Sequence, residues 1–413
     1  MNSSQRLNMR LLPLSEPFKH YDMKKVAFFS EMLIEDFDGA ARTMFQLINR
    51  IDQFSYSYFF VYGVGPEEFR NFKSLKVPTL RIPINDDYSI AVPQLAKNKI
   101  EQALDKFQPD VIHIATPSML GFFALKYARR RNIPVISIYH THFISYIAYY
   151  LRNLNALIRP TEQWMKKTMQ RFYNNCQRVY VPTVNIMQEL HQLGIEQERL
   201  SIWQRGIDCE LFSPAKKNTA YLQRLTRNNK PTILFASRLV WEKNIETLIA
   251  IYRHLEHEGM PYNLVVAGDG AAKNDAMEHM PHALFLGKLS HEELSMLYAS
   301  SDAFVFTSTS ETYGNVVIEA MASGLPSVIA NGGGSGSLVD HGRTGFKCTP
   351  NNAKEYVHYL HKILNNKILH HEMADAGLQY VKRLDWNSLA DIYFSEIDSL
   401  AGHSSNDIIW AAS

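Results

Sequence analysis

Residues 302–331 read DAFVFTSTSETYGNVVIEAMASGLPSVIAN. DAFVFTS (302–308) is a strand candidate, a helix is predicted to begin near Asn315, and LPSVIAN (325–331) is the next strand candidate. Both apolar runs are continuous rather than alternating. That is the pattern of a strand covered on both faces, and so of a parallel sheet between helical layers.

The same alternation extends outward. Ahead of this unit lie PTILFAS (231–237), NLVVAGDG (263–270) and ALFLGKL (283–289). The front half holds VAFFS (26–30), SYFFVYG (57–63), DVIHIAT (110–116), IPVISIYHT (133–141) and RVYVPT (178–183). Amphipathic stretches at 244–257, 291–300 and 353–365 supply covering helices. The order predicts an α/β chain of two doubly wound, Rossmann-like parallel-sheet domains. The expected division is an extension over 1–22, a first domain over 23–203, a second over 204–385, and a closing segment over 386–413. Ligands of such sheets sit beyond the carboxyl ends of the strands, so the predicted site is the cleft between the domains.

The chain has 413 residues, 46% hydrophobic and 20% charged, with a formal net charge of +2. That profile excludes a disordered chain, a collagen-like repeat and a disulfide scaffold. Cys176, Cys209 and Cys348 are odd in number and far apart, and read as buried thiols of a reducing compartment. The N-terminal MNSSQRLNMRLLPLSEPF lacks the apolar block of a signal peptide. No run of about 18 apolar residues offers a membrane span, so the expected location is cytoplasmic. Residues 1–203 carry 25 Lys and Arg against 18 Asp and Glu, and the remainder 18 against 23, an asymmetry too mild for a nucleic-acid partner. Residues 150–178 hold Arg152, Arg159, Lys166, Lys167, Arg171 and Arg178 against Glu162. Met165, Met169, Phe172 and Tyr173 fall on one helical face there, with Lys167 and Arg171 on the other. This predicts either a helix covering the first sheet or a peripheral contact with an anionic membrane surface.

Candidate site residues cluster at strand ends. In SETYGNVVIEAMASGLPSV (310–328), the backbone N–H groups of Thr312, Tyr313, Gly314, Asn315 and Val316 are predicted to face the cleft at a helix N-terminus, which suits a phosphate or a sugar hydroxyl. Glu311 and Glu319, eight positions apart, can serve the two ends of an elongated ligand with diol groups. In FASRLVWEKN (235–244), Arg238 and Lys243 form a plausible diphosphate clamp of one guanidinium and one ammonium. Gly39 opens a helix after strand 26–30 and permits close approach to a phosphate from the opposite wall. His140, in YHTHF (139–143), sits at a strand tip where it can bond a sugar hydroxyl. Asp36 and Asp38 form a DxD pair in an ordinary loop, and His140 with His142 lacks a third ligand, so no metal is expected. AGDGAAK (267–273) and GGGSGS (332–337) fail the dinucleotide fingerprint at Lys273 and Ser337, and neither a P-loop nor a nucleophile elbow occurs.

In this order ASRLVWEKN, VVAGDG, LGKLSHEEL, the Glu311-x7-Glu319 segment, EAMASGLPSV and HGRTGF resemble the retaining glycosyltransferases of family four, which have the GT-B fold. The resemblance spans residues 24–402. YHTHF followed by Tyr146, with WQRGIDCELF (203–212), places the chain nearest the sulfolipid synthases and GDP-mannose-dependent mannosyltransferases. It implies two domains facing across a cleft, with RLDWNSLADIYFSEI (383–397) forming a C-terminal helix that crosses back to the first domain. It also implies a metal-independent hexosyltransferase with no cofactor, moving a mannose- or glucose-type hexose from a nucleotide-diphospho sugar. On that resemblance Arg238 and Lys243 hold the diphosphate and Glu319 the ribose diol. Glu311 and the backbone after it hold the sugar, Gly39 approaches the distal phosphate, and His140 lies beside the transferred sugar and acceptor. The expected acceptor is a lipid-linked or glycolipid hydroxyl at the inner face of the plasma membrane. A soluble or polysaccharide-precursor acceptor, an epimerase and a non-catalytic nucleotide-sugar-binding subunit are the alternatives. Where many members carry GGxxE, this chain has Gly333-Gly334-Ser335-Gly336-Ser337, which leaves base and sugar open.

Overall fold

The computed structural model describes residues 23–35, 37, 39–81, 89–140, 155–259, 261–402 and 408–411. Asp36, Asp38, His142, Tyr146, and the segments 1–22 and 150–154 lie outside them.

The front lobe is built on β1 (Lys24–Met32), β2 (Tyr56–Val64), β3 (Lys73–Lys76), β6 (Val111–Ile114), β7 (Val135–Ile138), β8 (Arg178–Val181) and β9 (Leu200–Ile202), with a short antiparallel pair β4 (Thr79–Arg81) and β5 (Ser89–Ala91) beside it. The sheet is parallel throughout, in the order β3-β2-β1-β6-β7-β8-β9. The back lobe holds β10 (Thr232–Ala236), β11 (Asn263–Ala267), β12 (Leu284–Gly287), β13 (Ala303–Phe306), β14 (Ser327–Ala330) and β15 (Gly345–Cys348), also parallel, in the order β12-β11-β10-β13-β14-β15. Both are doubly wound sheets of the expected kind. Every residue of β6, β7, β10, β13 and β14 is buried, which explains their unbroken apolar runs. Strand order reverses between β1 and β6 and again between β10 and β13, and each reversal opens a crevice at the strand carboxyl ends.

The helix Trp386–Ala401 returns to the front lobe. Its Leu389, Tyr393, Phe394 and Ile397 join the core around Val26, Phe28 and Trp203. Polar contacts fix its register: Trp203 Nε1 donates to Leu389 O at 2.8 Å, Tyr56 OH to Asp398 at 2.9 Å, and Arg178 pairs with Glu396 at 2.8 Å. Gly206, on the connection between lobes, lies flush against Trp386, where a Cβ would come within 2.6 Å of the indole. Beyond the helix, Trp410 Nε1 donates to Asn132 at 2.9 Å, so residues 408–411 also lie on the front lobe.

The helix Asn155–Tyr173 buries Met169, Phe172 and Tyr173 against the first sheet and leaves Lys167 and Arg171 exposed. The three cysteines are not all the buried thiols that the sequence suggested. Cys176 and Cys348 are buried, but Cys209 is exposed because it falls on the turn after Gly206-Ile207-Asp208 rather than in a sheet or helix interior.

Candidate active site

The site is assembled from loops that follow β1, β7, β10 and β13, at or beside the two strand-order reversals. After β10 the chain passes through Arg238 into a 3-10 turn, Trp241–Lys243, and Asn244 in the left-handed conformation (φ 58°) redirects it into the helix Ile245–His257. The AGDG run supports this loop, which accounts for its glycines once the dinucleotide reading is set aside. Leu239 N donates to Asp269 O at 2.8 Å, and a Cβ on Gly268 or Gly270 would overlap the Ser237 or Leu239 carbonyl. Lys243 is thereby drawn inward, with only 4% of its side chain exposed, while Arg238 stays 65% exposed and pairs with the well-buried Glu242 at 3.2 Å.

After β13, residues Thr307 to Gly314 meet that loop. Lys243 Nζ lies 2.7 Å from Glu311 Oε1 and 3.4 Å from Ser310 Oγ. Thr307 Oγ1 donates to Lys243 O at 3.0 Å and Ser310 Oγ to Glu242 O at 3.0 Å, so the two loops brace each other. Gly314 then takes φ 101° and opens the helix Asn315–Ala322 without a side-chain cap. Among the described residues, the N–H groups of Thr312, Tyr313, Gly314, Asn315 and Val316 have no acceptor. Uncapped donors at a helix N-terminus are suited to an anion or a ring of hydroxyls. Tyr313 contributes backbone only: its buried side chain turns to the lobe junction and donates to Arg205 O at 3.0 Å.

Glu319 is not a solvated helix residue. It is buried, accepts from Tyr298 OH at 3.3 Å, and has its carboxyl pushed up to about 7 by burial, against the opposing pull of Arg42 from the front lobe. Glu311 and Glu319 therefore take different environments on the same wall, one fixed on an ammonium and one half-neutral.

The front lobe supplies the facing wall. Gly39 starts the helix Gly39–Ile48, and a Cβ there would lie 3.6 Å from Asn315 Nδ2, so two helix N-termini oppose each other across the cleft. His140 follows β7 and is buried, and both ring nitrogens lack a partner among the described residues. Burial, then the electrostatic influence of Arg205 and His113, hold its pKa well below the usual histidine value, which favours the neutral imidazole.

Two family descriptions match in tandem, "Glycosyltransferase Family 4" over residues 37–211 and "Glycosyl transferases group 1" over 218–380. A "GDP-mannose-dependent alpha-mannosyltransferase" of Mycobacterium tuberculosis is 32% identical, over 65% of this chain and 67% of its own. The chain belongs to glycosyltransferase family four. The Corynebacterium glutamicum protein of the same description is 29% identical to this glycosyltransferase over 88% of this chain and 86% of its own. An "Alpha-monoglucosyldiacylglycerol synthase" of Streptococcus pneumoniae is 26% identical, over 75% and 71%. Among solved structures, Anabaena HepE in complex with UDP and glucose superposes with a TM-score of 0.69 at 18% identity, covering 91% of this chain and 100% of that one, a likeness of GT-B fold.

Sequence reading of this glycosyltransferase missed the residues that act across the lobes. Asn185 Nδ2 donates to Gly333 O at 3.0 Å, and Asn185 N to Ser337 Oγ at 3.3 Å. Arg42 Nη1 meets His291 Nε2 at 2.6 Å. Arg205 reaches from the interlobe connection to His140 O at 3.3 Å. None of these pairs has a spacing signal, because each joins residues more than sixty positions apart. The glycines of 332–334 also gain a role: Gly334 N donates to Glu311 O at 2.7 Å, and a Cβ on Gly334 would overlap the Thr312 carbonyl. They let the strand-end segment pack beneath the turn that carries Glu311.

Proposed function

We propose that this glycosyltransferase moves a hexose from a nucleotide-diphospho sugar to an acceptor hydroxyl with retention of anomeric configuration and without a metal ion. The observation that carries this reading is the meeting of Lys243, Glu311 and the uncapped helix N-terminus at one strand-order reversal. Lys243 and Arg238 would neutralise the diphosphate, Glu319 would accept from the ribose diol, and Glu311 with the backbone of 312–316 would orient the sugar. As the bond from the anomeric carbon to the distal phosphate oxygen breaks, its electron pair moves onto that oxygen. The acceptor oxygen bonds to the same face of the carbon and its proton passes to the diphosphate, so no protein nucleophile is needed. Neutral His140, buried beside the gap, would bond the reacting sugar or the acceptor hydroxyl. Catalysis then consists of orientation and leaving-group neutralisation.

For the acceptor we favour a lipid-linked or glycolipid hydroxyl, with the enzyme docked peripherally on an anionic cytoplasmic membrane face. Support comes from the helix Asn155–Tyr173, whose outer side exposes Arg159, Lys167 and Arg171 together with Trp164, 62% exposed. An outward indole among basic residues suits a headgroup interface. The synthase relative named for monoglucosyldiacylglycerol supports the same choice.

A panel of GDP- and UDP-sugars scored by thermal shift tests the donor, and the anomeric signal of the product by NMR tests retention. Transfer that survives chelator tests metal independence. Co-sedimentation with vesicles of phosphatidylglycerol, with and without Lys167→Glu and Arg171→Glu, tests the docking face. Transfer only to soluble acceptors, with no vesicle binding, would replace the lipid reading by a soluble or polysaccharide-precursor one.

A further inference from the structure

Arg205 lies in the connection between the lobes, in a segment whose sequence pattern assigned it no chemistry. Its side chain is buried and reaches three parts of the site at once. Nη2 donates to His140 O at 3.3 Å, the guanidinium carbon stands 5.6 Å from the centre of the Tyr313 ring, and Nη1 is 3.8 Å from the position a Cβ would take on Gly39. Its own carbonyl accepts from Tyr313 OH at 3.0 Å, which ties the connection to the turn ahead of the helix Asn315–Ala322.

We propose that Arg205 is a third cationic contact for the donor, reaching from the lobe junction to the distal phosphate that leaves with the nucleotide. The inference rests on the donor reading above and adds a residue to it. An arginine head stays charged at any working pH, and its planar fork is shaped for phosphate oxygens. Here it stands where the positive ends of two helix dipoles face each other, at Gly39 and at Gly314-Asn315. Two helix N-termini and a guanidinium converging on one gap make it a favourable place for an anion. Arg238 and Lys243 approach from the back lobe alone. Arg205 is positioned to approach from the opposite side, next to the backbone of His140. The phosphate carrying the scissile oxygen would therefore be gripped from both walls, with the neutral imidazole of His140, whose ring nitrogens have no partner among the described residues, beside the sugar carbon. The Tyr313 bond fixes the backbone that carries this guanidinium to the turn ahead of the helix Asn315–Ala322.

A contact confined to the distal phosphate separates nucleoside diphosphates from monophosphates. The experiment measures GDP, UDP, GMP and UMP binding by calorimetry on the full chain, for the wild type, Arg205→Gln and Arg205→Lys. The wild type is expected to bind one diphosphate. In Arg205→Gln that affinity falls about ten- to a hundredfold, the range of one lost charge-assisted bond, while the matching monophosphate changes less than about threefold. Arg205→Lys keeps the charge without the fork, and recovers part of the diphosphate affinity. Unchanged diphosphate affinity in folded Arg205→Gln overturns the inference and leaves the donor reading intact. Equal loss for both nucleotide classes overturns it in favour of a structural role. If Arg205→Gln does not fold, the Arg205→Lys ratio of diphosphate to monophosphate affinity decides, and a ratio equal to wild type counts against the contact. A wild type that binds none of the four nucleotides removes the donor reading itself.

Discussion

Lys243 and Glu311 come from loops after different strands and form an ion pair of 2.7 Å in which the ammonium is almost completely shielded from water. Before a donor arrives, the buried cation has one carboxylate as its anion. A diphosphate would give it a second, and would leave Glu311 able to turn part of its capacity to the sugar.

Glu311→Gln removes that carboxylate charge and strands the ammonium. Transfer should fall about 10²- to 10³-fold, and stability should drop by about 1–3 kcal/mol. Added nucleoside diphosphate should then raise the melting temperature of the variant more than that of the wild type, since it supplies the missing anion. Equal ligand-induced shifts in paired thermal melts would show that Lys243 does not meet the diphosphate.

Arg238→Ala should behave oppositely in stability. Its head is mostly in water and its pairing with Glu242 is an i,i+4 contact, so the fold should lose less than about 1 kcal/mol. Transfer should nevertheless fall by about 10²-fold or more if the guanidinium meets the leaving group. Near wild-type turnover in a steady-state assay would remove Arg238 from the site.

Glu319 predicts a pH dependence. Burial raises its folded-state pKa to about 7, above the ordinary 4.5, so the folded chain holds this proton more tightly than the unfolded one. The stability it contributes is fully present below about pH 4.5 and is lost as pH rises through about 7. The loss amounts to about 3 kcal/mol relative to Glu319→Gln, which does not titrate. The melting temperature of Glu319→Gln minus that of the wild type should therefore grow between those pH values and level off above. Donor affinity should move the other way in the wild type, rising with pH as the carboxylate able to accept from a diol is formed. A difference in melting temperature that is flat with pH would mean that Glu319 is already ionised.

Gly334→Ala places a methyl group on the Thr312 carbonyl, and the turn must shift to admit it. We expect loss of nucleotide-sugar binding together with a destabilisation of a few kcal/mol, about the scale of an overpacked core site. Circular dichroism melts and the donor thermal shift, run on the same sample, read both. A variant that keeps full donor affinity would indicate that the backbone after Glu311 is not part of the site.

Much of the architecture was legible as pattern. The ten apolar runs all contain strands: nine are internal parallel strands, which leave no polar alternation to confuse the reading, and the tenth, β12, is a half-buried edge strand that is apolar all the same. The helix His291–Ser300 was bounded to the residue, helped by a capping box in which Ser290 and Glu293 exchange bonds. The other edge strands of the two large sheets escaped. KSLK of β3 buries only Leu75, and GFKC of β15 is short and begins with glycine, so neither shows a run. The pair β4 and β5 is three residues on each side and was equally silent.

What the amino-acid order determined alone is local: which apolar segments become the internal strands, where several of the amphipathic helices begin, and which charged or glycine residues fall at strand tips. Those properties depend on neighbours within a turn or a strand, and periodicity records them. Tertiary structure decided how those tips combine. It buried Lys243 against Glu311, raised Glu319 by taking it out of water, gave the AGDG glycines, Gly333 and Gly334 their carbonyl neighbours, and brought Arg205 to His140 and Tyr313. Desolvation and contact between residues distant along the chain exist only after two sheets have packed and faced each other, and no spacing in the sequence encodes them.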